Sequence, residues 1–157
     1  MEMNGERRIP AAQQLVWERL NDPEILKTCI PGCESVDRTA DNEFTAKVVA
    51  KVGPVKARFS GKVTITDLDP PNGYTISGEG TGGVAGFAKG GAKVSLETEG
   101  DETVLRFTVQ AQVGGKLAQI GSRLIDATAR KMADEFFGRF VGLMTPEAAA
   151  SEAVPSA

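Results

Sequence analysis

The sequence predicts an α+β fold: a curved antiparallel sheet of about seven strands wrapped around a long C-terminal helix, with two short helices after the first strand. Three observations predict it. Residues 55–66 alternate without exception, with Val55, Ala57, Phe59, Gly61, Val63 and Ile65 on one side and Lys56, Arg58, Ser60, Lys62, Thr64 and Thr66 on the other. That period of two, one side dry and one wet, marks a half-buried strand. Similar stretches recur along the chain, joined mostly by short turns, which implies antiparallel pairing. Near the C-terminus a long amphipathic segment supplies the one large apolar partner that the dry side of such a sheet can be buried against.

Each element has its own signal. Residues 3–9 read as the first strand. Arg7 shares the alternation of Met3 and Ile9, so a bulge or a different register is expected there. Pro10 and Ala11 start a helix to about Leu20, with Val16, Trp17 and Leu20 as its apolar side. The chain then stops and restarts. Asp22 suits an N-cap, Pro23 the first helical position and Glu24 the dipole, so a short second helix follows and ends before Ile30-Pro31-Gly32.

The strands come next. Phe44, Ala46, Val48, Ala50 and Val52 are inward on residues 44–52, and Gly53-Pro54 turns the chain into residues 55–68. After the turn at residues 69–73, Tyr74, Ile76, Gly78 and Gly80 share a face. Ala88, Gly90, Ala92, Val94 and Leu96 follow on the next strand, and Leu105, Phe107, Val109, Ala111 and Val113 on the last. Gly114-Gly115 ends the sheet and one helix is expected from about Lys116 to Leu143. Its apolar stripe is Ile120, Leu124, Ile125, Thr128, Met132, Phe136, Phe140 and Leu143. Gln119, Arg123, Asp126, Arg130 and Asp134 lie opposite, as a solvated face. Phe137 and Val141 fall on the polar side, where a simple core does not account for them. Residues 1–145 are read as one domain. Residues 146–157, composed of Ala, Ser, Glu and Pro with little bulk, are read as a disordered tail.

Composition narrows the function. A net charge of −3 argues against nucleic acid, which needs a basic footprint. No apolar run approaches bilayer length and the first residues lack a signal-peptide pattern, so a cytoplasmic protein is expected. The chain has no histidine, which removes the commonest general base and metal ligand, so no metal site is expected. Cys29 and Cys33 are misplaced for a C-x-x-C pair and read as two small, semi-buried thiols. Residues 78–83 satisfy G-x-G-x-x-G, but the glycine-rich stretch after them cannot open the helix that a pyrophosphate needs. A bulge-prone sheet edge or loop, able to gate an interior, is the better reading. Apart from Asp67 near a strand end, the long strands place no carboxylate inward, and a nucleophilic serine would have no histidine base. No catalytic residue is expected.

The inner face mixes large residues with Ala46, Ala50, Ala57, Gly61, Gly78, Gly80, Ala88, Gly90, Ala92 and Ala111. Small residues there let a helix pack close, or leave a hollow. Their number favours an apolar hollow, which suits a lipophilic ligand.

Several segments resemble the carbon monoxide dehydrogenase G-subunit family, within the START-like, polyketide cyclase-like helix-grip superfamily. They are Leu20-Asn21-Asp22-Pro23-Glu24-Ile25-Leu26, Cys29-Ile30-Pro31-Gly32-Cys33, residues 52–59, residues 86–92, Gly114-Gly115-Lys116-Leu117-Ala118 with Gly121, and Phe136-Phe137. The resemblance implies a helix-grip fold and a non-catalytic accessory of a molybdenum-containing carbon monoxide dehydrogenase or related hydroxylase. It also implies recruitment of that enzyme to the cytoplasmic membrane and a quinone bound in the cavity. Some relatives carry a longer C-terminal extension suited to membrane contact. The composition of residues 146–157 cannot insert, so any membrane contact is expected to be peripheral.

The expectation is therefore a carrier of a lipophilic molecule, a quinone, with no other cofactor, docking on a molybdenum hydroxylase complex. The residues expected to line the cavity are Phe59, Val63, Ile76, Val94, Phe107, Val109, Leu124, Thr128 and Met132. Two rivals remain: an enzyme of the polyketide cyclase or aromatase type, which an inward polar pair would favour, and a docking scaffold with a packed interior.

Overall fold

The computed structural model describes residues 1–144. The tail expected at residues 146–157 lies outside the described residues. The elements run β1 (Glu2–Ile9), α1 (Gln13–Leu20), α2 (Pro23–Cys29), β2 (Cys33–Ala40), β3 (Glu43–Val52), β4 (Val55–Asp69), β5 (Gly73–Thr81), β6 (Phe87–Glu99), β7 (Glu102–Gly114), α3 (Lys116–Ile120) and α4 (Ser122–Met144), with a three-residue 3-10 turn at Gly83–Ala85 before β6. Seven strands form one antiparallel sheet in the order β1-β7-β6-β5-β4-β3-β2. Strands β2 to β7 pair with their sequence neighbours, while β1 pairs with β7 at the far edge. The chain must therefore cross from one edge of the sheet to the other between β1 and β2. Helices α1 and α2 make that crossing, and so they cover one end of the sheet.

Local chemistry sets the boundaries. Asp22 caps α2 by accepting a hydrogen bond from the Glu24 amide at 3.0 Å, with Pro23 in the first turn. Helix α1 begins at Gln13 rather than Pro10, because the Ala11 amide first turns back onto the Ile9 carbonyl at 2.8 Å. Gly53 and Gly100 take positive φ in the β3–β4 and β6–β7 turns.

Four expectations are corrected. Strand β2 was not marked out by alternation; of its eight residues only Val36 is buried. The C-terminal helix is two helices, broken where Gly121 takes φ +100. The glycine-rich stretch is not at a sheet edge, since β5 and β6 are interior strands, but residues 82–86 of it do form the loop between them. Strand β1 has no bulge, and its pairing with β7 runs regularly from Glu2 opposite Gln110 to Ile9 opposite Thr103. Arg7 does face the inner side there. At the open edge of the sheet its guanidinium lies 5.5 and 5.3 Å from the ring centres of Phe107 and Phe137 and pairs with Asp134 at 2.6 Å. The apolar stem and the rings cover the dry side while the charge reaches the rim. Asp134, expected to be merely solvated, is its partner.

Candidate functional site

Reading across the sheet, the inner face comes in rows fixed by strand register. One row runs Tyr74, Val94, Phe107, Gly5, and the next Ile65, Ile76, Ala92, Val109, Met3. Then come Phe44, Val63, Gly78, Gly90, Ala111, followed by Ala46, Gly61, Gly80, Ala88, Val113. Side-chain volume falls row by row away from the end that α1 and α2 cover. Ile65, Tyr74, Leu96, Leu105 and Phe107 are buried, whereas no residue of the last row is. The sheet thus carries its large side chains at the end beside the covering helices and its small ones toward the other.

Helix α4 reinforces the asymmetry. Its C-terminal half packs down: Phe140 and Met144 are buried, and Ala133, Phe136, Phe137, Val141 and Leu143 pack against the core. All but Leu143 follow i, i+3, i+4, i+7, i+8 and i+11 from Ala133, so Phe137 and Val141 belong to the packing face after all. Of the expected stripe, Phe136, Phe140 and Leu143 pack on the core, and Ile120 falls before the break at Gly121. Leu124, at the other end of α4, is 46% exposed.

Between sheet and helix lies an apolar cavity of about 280 Å³. Its walls come from every layer: Leu20, Leu26 and Ile30 from the covering end, Phe44, Val63, Ile65, Tyr74, Ile76 and Val94 from the sheet, and Phe136 and Phe137 from α4. Its size sits just under the roughly 300 Å³ at which ordinary small-molecule pockets begin. That is room for a ring system, with any long chain left to lie along the small-residue rows. Two wider depressions, about 790 and 630 Å³, lie on the solvent-facing side of the sheet. They are open troughs walled by Lys62, Glu79 and Lys89, where an apolar ligand would gain little from burial.

Of the nine residues expected at the cavity, Val63, Ile76 and Val94 line it. The other six are elsewhere. Phe107 is buried one layer behind the wall, its ring stacked on Phe137 at 5.4 Å. Val109 packs on the core from the neighbouring row. Phe59 lies over Gly82, where a Cβ would sit 2.6 Å from its ring. Leu124 lies against Gly53 of the β3–β4 turn, and Thr128 spends its hydroxyl on the Leu124 carbonyl at 2.8 Å. Met132 is half-buried on α4. Sequence reasoning missed the contributions of α1, α2, β2 and β3, because alternation reveals a dry face but not which elements close over it.

Polar groups near the cavity are few. Among the described residues, Tyr74 is the only one in the lining whose side chain can form a hydrogen bond. It is buried, held edge-on by Trp17 with ring centres 5.3 Å apart, and burial pushes its phenol far above the ordinary tyrosine range. Asp126, expected on the solvated face, is half-buried, and its Oδ1 is buried without a partner among the described residues. Thr103, also buried, is satisfied by donating to the Ala11 carbonyl at 2.7 Å. Cys29 is buried and Cys33 half-buried; both are free thiols, pushed up chiefly by burial. Among the described residues no cluster of three or more His, Cys, Asp or Glu could hold a metal. None of the described helices is long and apolar enough to cross a membrane.

A curved seven-stranded antiparallel sheet closed over an apolar cavity by one long helix defines a START-like, helix-grip protein. Solved structures agree. The chain is similar to a conserved protein from Geobacillus kaustophilus, at 30% identity over 96% of this chain and 97% of that one, with a TM-score of 0.86. A START superfamily protein from Mycobacterium smegmatis superposes with a TM-score of 0.71 at 12% identity, covering 91% of this chain and 96% of that one. The Zhui aromatase/cyclase from Streptomyces sp. R1128 does so with 0.62 at 14% identity, covering 90% and 92%. The last two likenesses show the fold alone. No curated protein matches the chain. Residues 5–141 match the carbon monoxide dehydrogenase G-subunit (CoxG) family, and the chain belongs to that family.

Proposed function

We propose that this protein carries an uncharged lipophilic molecule, a quinone, in the cavity between sheet and α4. It serves as a non-catalytic accessory of a molybdenum-containing carbon monoxide dehydrogenase or related hydroxylase, linking that enzyme to the membrane from the cytoplasmic side. The observation that carries the reading is the cavity itself: about 280 Å³ with almost wholly hydrocarbon walls, bordered at Ala46 by the rows of small residues. The partner is inferred from family membership. A binding role is favoured over catalysis by the lining, which offers one hydroxyl and no carboxylate, amine or thiol.

The test is a titration with a short-chain menaquinone analogue, followed by fluorescence of Trp17, the only tryptophan, whose ring contacts the cavity wall at Tyr74. Saturable binding, with the analogue recovered unchanged, is expected. Chemical conversion of the analogue would point to the cyclase-like alternative. Absence of binding would sink the carrier reading.

A further inference from the structure

We infer that Tyr74 is the positioning and specificity residue of this cavity: its hydroxyl donates the one directional hydrogen bond to a neutral oxygen acceptor on the ligand, so that the ligand enters head-first with its apolar chain along the small-residue rows. The inference rests on the carrier reading above and adds to it a named contact, a class of head group and an orientation.

Tyr74 is 7% exposed, lies on the inner face of β5 and lines the cavity. Its ring is fixed on one side by Trp17. No hydrogen bond to its hydroxyl is found among the described residues, and burial alone displaces its titration. A buried phenol normally finds a partner. Here the other lining side chains of the described residues are hydrocarbon, and the hydroxyl is not fully sealed, so it stays open to a partner from outside the protein, water or a ligand oxygen. Because burial favours the neutral phenol, the group stays protonated at physiological pH and acts as a donor.

The same surroundings select the acceptor. A carboxylate or phosphate head would enter a site with no cation in its lining, which strongly disfavours an unpaired charge. Two guanidiniums lie over rings of the lining without joining it: that of Arg7 is over Phe137 and engaged by Asp134, and that of Arg38 is over Phe44 at 5.1 Å and donates to the Asn21 carbonyl at 2.6 Å. A ketone or quinone carbonyl, neutral and acceptor-only, fits. Orientation follows from the taper. Tyr74 belongs to the row of large residues, and the rows of Gly78, Gly80, Gly90 and Ala88 lie two and three steps beyond it. A head on Tyr74 therefore leaves the tail pointing to the open half.

The experiment compares two probes on wild type and Tyr74→Phe: a short-chain menaquinone analogue and the alkylnaphthalene of the same skeleton without carbonyls. Removing one net hydrogen bond should weaken the quinone by about five- to ten-fold and the hydrocarbon by less than about two-fold. Infrared difference spectra should show a carbonyl stretch lowered on binding to wild type and not on binding to the variant. Equal loss for both probes, or unchanged quinone affinity, would overturn the inference while leaving the cavity reading intact. If Tyr74→Phe fails to fold, the wild-type spectrum decides, and an unshifted carbonyl overturns it. If wild type binds neither probe, the carrier reading has failed and this inference falls with it.

Discussion

At the end of the sheet covered by α1, α2 and the C-terminal half of α4, the inner face carries Tyr74, Leu96, Leu105 and Phe107, all buried. Two to four rows further along the same strands it carries Gly78, Gly80, Ala88, Gly90 and Ala111, none of them buried. Both ends share one register, one alternation and one sheet. What differs is side-chain volume. Alternation decides which face is dry, whereas volume decides whether the dry face is filled. The helix obeys the same division. Where α4 meets large residues it packs through Phe136, Phe137 and Phe140, whereas near its start Leu124 is exposed and lies against the sheet at Gly53 of the β3–β4 turn.

The largest effect that tests this contrast lies in the filled end. Leu105 is 1% exposed and forms part of the cavity wall at this end. Leu105→Ala removes buried methyl groups and enlarges the hollow beside them, and it should cost about 2–5 kcal/mol in urea unfolding. A loss below about 1 kcal/mol would mean that this end is not well packed. Next in size is Gly5→Ala. A Cβ at Gly5 would collide with the ring tip of Phe107. That ring has little freedom to yield, being stacked on Phe137 and flanked by Arg7. Overpacking of about 1–3 kcal/mol is expected from thermal melts, and Phe107→Leu in the same chain should recover part of it.

The division between alternation and volume also explains what could be read in advance. The antiparallel sheet, the two short helices, the Asp22 cap and a dry face with too many small residues follow from local patterns. They were readable because strand period, caps and turns act over a few residues. The strand β2 escaped because CESVDRTA buries only Val36, so it has almost no period to detect. The lining was readable at Val63, Ile76 and Val94, which face inward near the middle of long strands. Leu20, Leu26, Ile30 and Phe136 could not be assigned to it, because their place depends on how the covering end docks and how α4 tilts. The helix face was misdrawn for a related reason. One stripe carried from Ile120 to Leu143 keeps the phase of the helix start, whereas the spacing from Ala133 to Met144 alone points to the packed side.

A smaller and pH-dependent effect measures how dry the filled end is. Tyr74 is the only tyrosine, and burial raises its folded pKa above the ordinary value near 10. Below that value the phenol is neutral in both folded and unfolded chains and adds no pH dependence. Above it the unfolded chain releases the proton while the folded chain retains it, so rising pH favours unfolding. Wild type should lose roughly 1.4 kcal/mol per pH unit above about pH 10 from this group alone. Lysines titrate in the same range, but they are common to wild type and Tyr74→Phe and cancel in the difference. Thermal melts of both proteins at pH 8 and pH 11 should therefore diverge only at the higher pH, with wild type falling further. Parallel profiles would mean that water reaches the phenol and that the end is not sealed.

The smallest expected change in stability belongs to the open half, and there it should coincide with a large change in binding. Gly80 lies in the row with Ala46, Gly61 and Ala88. A Cβ added to it meets the Ser60 carbonyl oxygen at 3.5 Å and the Gly61 Cα at 3.7 Å, ordinary contact distances. Gly90, one row nearer the core, differs, since a Cβ there would run into the Gln110 carbonyl, so Gly80 is the position where volume can be added without moving backbone. Gly80→Leu should shift unfolding by less than about 1 kcal/mol, the gain from burying apolar surface offsetting the local crowding. The same leucine would occupy the path that the apolar chain of a ligand needs. Affinity for a menaquinone analogue should fall by more than about ten-fold, while an analogue without a side chain, small enough for the cavity alone, should still bind. A stability loss as large as that of Leu105→Ala would show that the open half is packed after all. Unchanged affinity for the long analogue would show that its chain takes another way out.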